Sequence, residues 1–141
     1  MKLLGFNLTK IGIEKTKDVV KDLKIENKVD ISEIKEVNQD ILKSKDEVLA
    51  VKFTYIIDYS PGIAKVHMEG SILVSVESKV AKEVLKGWTS KDKNLPEEFR
   101  ATIFNIIFRK AGLKAMELED DMGLPLHIQM PSIRKKEKDS D

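Results

Sequence analysis

Between Leu49 and Val76 the chain alternates apolar and polar residues with a period of two. Leu49, Val51, Phe53, Tyr55, Ile57 and Tyr59 occupy every second position. After the turn-forming Ser60-Pro61-Gly62, the residues Ala64, Val66, Met68, Gly70, Ile72, Val74 and Val76 repeat the pattern. In a helix this spacing would scatter the apolar side chains around the whole cylinder, whereas in a strand it puts them all on one face. The pattern predicts two long antiparallel strands joined by a tight turn. Lys52, Thr54, Asp58, Lys65, His67, Glu69, Ser71 and Ser75 fill the other positions, so the hairpin has one wet face and one that needs cover.

Upstream, Leu4, Phe6 and Leu8 alternate with polar or small residues, and Ile11 and Ile13 continue on the other parity. One extra residue swaps the faces of a strand, so a bulge is expected near Thr9-Lys10. Lys15 to Lys24 is charged and irregular, with Val19, Val20 and Leu23 as apolar islands, and reads as a crossover loop with at most one helical turn. A second strand is expected over Ile25 to Ile34, where the alternation is weaker.

Downstream, Val80, Val84 and Leu85 have helical spacing within Lys79 to Trp88, and Gly87 stands near the end of that helix. Asn94-Leu95-Pro96-Glu97-Glu98 opens a long helix, with proline and two acids where missing donors and the helix dipole favour them. Phe104, Phe108, Ala111, Ala115, Leu118 and Met122 form an expected stripe along one side. Phe99, Ile103, Ile106 and Ile107 add a second apolar side to the first half. A stretch greasy nearly all round predicts a partner surface, so Phe99, Ile103, Phe104, Ile106, Ile107 and Phe108 are the candidate oligomer interface. Gly123 stops the helix. The prolines in Leu124-Pro125-Leu126-His127-Ile128-Gln129-Met130-Pro131 exclude further helix, and the polar tail from Arg134 to Asp141 is expected to be a disordered, solubilising end. No internal repeat is present.

The remaining composition excludes more than it assigns. The 141 residues with 41% hydrophobic content suit one domain, taken as residues 1–133. Lys+Arg 25 against Asp+Glu 24 leaves a formal charge of +1, which argues against nucleic acid as a partner. The absence of cysteine removes disulfides, thiolate metal sites and cysteine nucleophiles, and suits a reducing compartment, here expected to be the cytoplasm. The first ten residues lack a signal-peptide core, and no run approaches the roughly 20 apolar residues of a membrane span. His67 and His127 lack metal-ligand spacing and read as ordinary structural or surface residues. The run Glu117-Leu118-Glu119-Asp120-Asp121 lacks the glycine-spaced loop of a calcium site and reads as a solvated face. No phosphate-cradling glycine loop or nucleophile elbow is present, so no cofactor, metal or catalytic residue is assigned. Trp88 reads as a core plug rather than a ligand platform.

The order of strand, crossover loop, strand, long hairpin and long helix, ending in Gly123-Leu124-Pro125-Leu126-His127-Ile128-Gln129-Met130-Pro131, resembles the SecB protein-export chaperone family. The resemblance implies an α+β fold, with a four-stranded antiparallel sheet and a long C-terminal helix packed on one face. It also implies a homotetramer built as a dimer of dimers, and apolar grooves that hold unfolded polypeptide. Carried onto this chain, the client-binding candidates are Val19, Val20 and Leu23 in the loop and Leu126, Ile128 and Met130 near the end. Two departures stand out: familiar export members are strongly acidic, whereas this chain is near neutral, and its crossover loop lacks aromatics. They argue against a SecA-type motor as partner and favour a divergent branch with other clients, antitoxin-type chaperoning included. A non-enzymatic, client-holding chaperone is the leading expectation. The alternatives are an oligomeric structural or adaptor protein with one fixed partner and, third, an enzyme.

Overall fold

The two alternating runs form the middle of a four-stranded antiparallel sheet. The computed structural model describes residues 1–37 and 46–131. The expected charged tail and the expected domain end at residue 133 lie outside the described residues. The elements are β1 (Lys2–Lys15), β2 (Lys24–Val37), β3 (Glu47–Ser60), β4 (Ala64–Val76), α1 (Ser78–Thr89) and α2 (Glu97–Asp121). The strands lie in the order β1-β4-β3-β2, with every neighbouring pair antiparallel. The fold is α+β.

The β3–β4 register places Leu49 opposite Val74, Val51 opposite Ile72, Tyr55 opposite Met68 and Ile57 opposite Val66. Both apolar sets therefore share one face, and all of these side chains are buried. Removing each large one from water stabilises the fold by about 1.5–3 kcal/mol. Phe53 faces Gly70, where an added Cβ would come within 2.5 Å of the Asn7 carbonyl oxygen and 2.9 Å of the Phe53 ring. The missing side chain leaves room for that ring, which stacks on Phe6 of β1 with centroids 5.6 Å apart.

The edge strands carry the irregularities. In β1 the register slips between Leu8 and Lys10, so the expected bulge falls at Thr9 and returns Ile11 and Ile13 to the core face opposite Met68 and Val66. A second slip, between Leu3 and Gly5, was not legible and takes Leu4 out of the set containing Phe6 and Leu8. In β2, Val29 and Ile31 oppose Tyr55 and Phe53, but a slip between Ile31 and Glu33 moves the core position to Ile34, opposite Val51. That parity change explains the weak alternation, and the strand extends beyond the expected 25–34. Residues 16–23 carry the chain from one edge to the other. The Thr16 N–H donates to the Ile63 carbonyl at 2.7 Å, tying the crossover to the end of the hairpin.

Helix α1 packs near β2 and β3 and buries Ala81 and Val84. Helix α2 buries Phe99, Ile103, Ile107, Ala111, Ala115 and Glu119, every fourth residue. The expected stripe from Phe104 to Met122 is corrected at its start, where Phe104 is half-buried and Phe108 exposed, whereas Ala111 and Ala115 are buried and Leu118 and Met122 pack partly on the core. Four residues advance a helix by slightly more than one turn, so the buried line winds slowly as α2 crosses the sheet. At the C-terminus Gly123 adopts φ +66°, its N–H donates to the Asp120 carbonyl, and the Leu124 N–H donates to the Glu119 carbonyl at 2.8 Å. This 6→1 and 5→2 closure satisfies the last carbonyls and reverses the chain. No helix among the described residues is long and apolar enough to cross a membrane.

Candidate functional site

The reversal at Gly123 lays residues 124–131 back along α2, where they meet a buried polar network. Glu119 is fully buried, and its carboxylate accepts from three donors. The Tyr59 hydroxyl is 2.5 Å from Oε2, and His127 supplies its backbone N–H at 3.2 Å and its ring Nδ1 at 2.7 Å to Oε1. The single Tyr59 hydroxyl proton is shared between Oε2 of Glu119 and the Pro125 carbonyl oxygen, which the hydroxyl also meets. A carboxylate only accepts, which assigns the ring proton to Nδ1 and leaves the buried Nε2 without a hydrogen-bond partner. Burial pushes the Tyr55 phenol up to about 12, with the charge of Glu119 adding to it. Tyr59 is raised by burial first, then by its hydrogen bond to Glu119 and by that charge.

The solvated-face expectation for the acidic run holds for Glu117, Asp120 and Asp121, which are exposed, and fails at Glu119. A signal existed: Glu119 continues the four-residue series from Phe99. His127, expected to be an ordinary structural or surface residue, has its side chain buried as a second member of this network. His67 lies on the other face of the sheet, 3.7 Å from Glu69. Among the described residues no cluster of His, Asp or Glu has the makings of a metal site.

With the Pro125 carbonyl and His127 turned inward, the segment leaves its last apolar side chains, together with Gln129, facing outward. Leu124 is buried and Leu126 half-buried, but Ile128 and Met130 are 46% and 54% exposed. On the crossover, Val19 and Val20 are exposed and Leu23 packs partly on the core. The Lys15 Nζ donates to the Met122 carbonyl at 3.1 Å, so the crossover and the C-terminal segment both start at one end of the sheet.

The helix candidates divide. Phe99, Ile103 and Ile107 are buried in the protein's own core, which corrects their reading as surface surplus. Phe104 and Ile106 are half-buried, and Phe108 meets the Tyr55 ring edge-on at 6.1 Å between centroids. Leu113, which the sequence reading missed, is 63% exposed on the same side of α2 as Ile106, seven residues earlier. Lys110 Nζ lies 5.8 Å from the Phe6 centroid, placing α2 above β1, whose Ile11 is 45% exposed.

A cavity of about 570 Å³ opens between β2, the α1–α2 connection and α2, lined by Val29, Ile31, Trp88, Leu95, Arg100 and Phe104 among others. Trp88 is half-buried and packs against the core, as expected, and with Lys93 Nζ 4.3 Å from its ring centroid it also forms a wall of this groove. Strand β2 is an edge strand, and its outer backbone groups pair with no other strand among the described residues.

No family model matches the sequence, and no curated protein matches it. Among solved structures, the chain is similar to the Mycobacterium tuberculosis Rv1957 SecB-like chaperone, in complex with a ChAD peptide from the Rv1956 HigA1 antitoxin. The TM-score is 0.56 at 10% identity, over 93% of this chain and 89% of that one. The four-stranded antiparallel sheet, the edge-to-edge crossover and the long C-terminal helix of this protein thus compose a SecB-like fold.

Proposed function

We propose that this protein is a non-enzymatic chaperone that holds unfolded or late-folding polypeptide on apolar surface. The observation that carries this reading is the arrangement of residues 124–131: the Pro125 carbonyl and the His127 N–H and ring are bonded inward, while Ile128 and Met130 face solvent. An unfolded client exposes apolar side chains and unpaired backbone. The exposed Val19 and Val20, the outward Ile128 and Met130 and the open edge of β2 offer partners for both. The peptide-bound state of the SecB-like neighbour supports the same reading. A role in protein export, or in guarding an antitoxin-type client, falls within it, as does a cytoplasmic location. The near-neutral charge disfavours a SecA-type motor.

Assembly as a homo-oligomer, a tetramer in the SecB manner, is part of the proposal. Burial of Phe99, Ile103 and Ile107 moves its interface outward, to Ile106, Leu113 and Ile11 on the β1 side. That same exposed side favours one second reading, an adaptor with a single fixed partner. Suppression of aggregation of several unrelated unfolding proteins at stoichiometric ratio supports the chaperone. Suppression of none rejects it, and tight binding of one partner alone favours the adaptor.

A further inference from the structure

We propose that Tyr59, Glu119 and His127 form a latch that positions the C-terminal segment and thereby sets the affinity for clients. This rests on the holding function proposed above. Past Leu124, residues 125–131 bury no complete apolar side chain, since Leu126 is half-buried and Ile128 and Met130 are exposed. What binds them to the body is polar: the Pro125 carbonyl to Tyr59, and the His127 backbone and ring to Glu119. A segment anchored by its apolar side chains would have none left to offer. One anchored through backbone and imidazole keeps Ile128 and Met130 on the outer side.

The latch joins three parts of the fold. Tyr59 belongs to β3, Glu119 to α2, and His127 to the segment itself. The His127 ring also lies against Gly112 of α2, whose hypothetical Cβ would be 3.6 Å from Nε2, and edge-on to Tyr55 at 6.3 Å. The buried Nε2 finds no hydrogen-bond partner, so the closed state carries an unsatisfied polar atom. That cost lowers the margin by which the closed segment is favoured, so each remaining bond counts toward the closed fraction. Apparent client affinity scales with the fraction of molecules in the competent, closed state.

Tyr59→Phe and His127→Phe in the full chain each keep a buried ring and remove latch bonds. Two quantities are measured: amide hydrogen exchange across the chain, and affinity for reduced, carboxymethylated α-lactalbumin. The expected result is exchange about tenfold faster at the amide of His127, whose N–H is bonded to Glu119, unchanged exchange in the β3–β4 hairpin, and affinity about tenfold weaker. Glu119→Gln, which keeps an acceptor for His127, should restore most of the affinity that Glu119→Leu loses. Unchanged exchange in the segment for both ring variants would overturn the latch. So would a loosened segment with unaltered affinity. If the unaltered chain fails to bind the unfolded protein, the holding function falls and takes the affinity claim with it, while exchange still decides whether the latch exists.

Discussion

Raising the pH of the native protein should leave both of its tyrosines un-ionised well past the point where a free phenol titrates. Tyr55 and Tyr59 are the only two in the chain, and both lie on the buried face of β3. Burial, with the Glu119 charge second, pushes Tyr55 up to about 12, and Tyr59 moves in the same direction. The ordinary phenol value is about 10. A phenol raised in the folded state contributes stability that is fully present below the unfolded value. That stability is lost as pH climbs through the interval between the two values, because only the unfolded chain releases its proton there. For Tyr55 the interval spans about two units, or about 3 kcal/mol. This is a large fraction of a typical domain's total stability of about 5–15 kcal/mol. Tyrosinate absorbance is the assay, recorded for native protein and for protein in concentrated guanidinium; the chain has no cysteine thiolate to overlap it. The denatured sample should titrate near the ordinary value. The native sample should stay flat and then rise steeply, together with loss of far-ultraviolet circular dichroism. A native tyrosinate step near the ordinary value with the fold intact would refute the packing of β3 against Glu119.

Ile103→Ala should lower stability in urea by about 2–5 kcal/mol, as a cavity in the core does, and Phe108→Ala by much less, since that ring is 41% exposed. Gly70→Ala should destabilise the β1–β4 pairing, because its Cβ would collide with the Asn7 backbone rather than a flexible side chain; exchange of the β1 amides reports it. Leu113→Asp combined with Ile11→Asp should dissociate the proposed assembly in light scattering while each subunit stays folded. Val20→Asp and Ile128→Asp should weaken suppression of aggregation without changing the urea midpoint, as both positions are exposed.

Much of the fold was legible because period-two alternation on a central hairpin has one solution in three dimensions. Leu49 to Tyr59 and Ala64 to Val76 are buried on one face of the sheet as their spacing requires. The bulge at Thr9 was legible too, since a parity change leaves a mark when apolar residues stand on both sides of it. The bulge in β2 left a weaker mark, because Ser32 and Glu33 separate its last two core residues. The helix was harder. The α2 sequence carries apolar residues on more than one side, and local spacing alone ranked Phe104 and Phe108 above Phe99, Ile103 and Ile107. The angle at which α2 crosses the sheet decides between them. In the candidate site, Ile128 and Met130 could be singled out as apolar residues in a proline-bounded segment, but Glu119 and His127 could not be joined.

By itself the sequence determined the strands, the hairpin, the start and stop of α2 and the lack of any recognisable catalytic or metal motif. Each of these depends on neighbours a few residues apart. Only the tertiary structure decided which side of α2 is core, that one acid of an acidic run is buried, and that Tyr59, Glu119 and His127 converge. Tyr59 and Glu119 are 60 residues apart in the chain. Their meeting depends on where the helix lies across the sheet and where the Gly123 reversal sends the chain, and no local pattern encodes either.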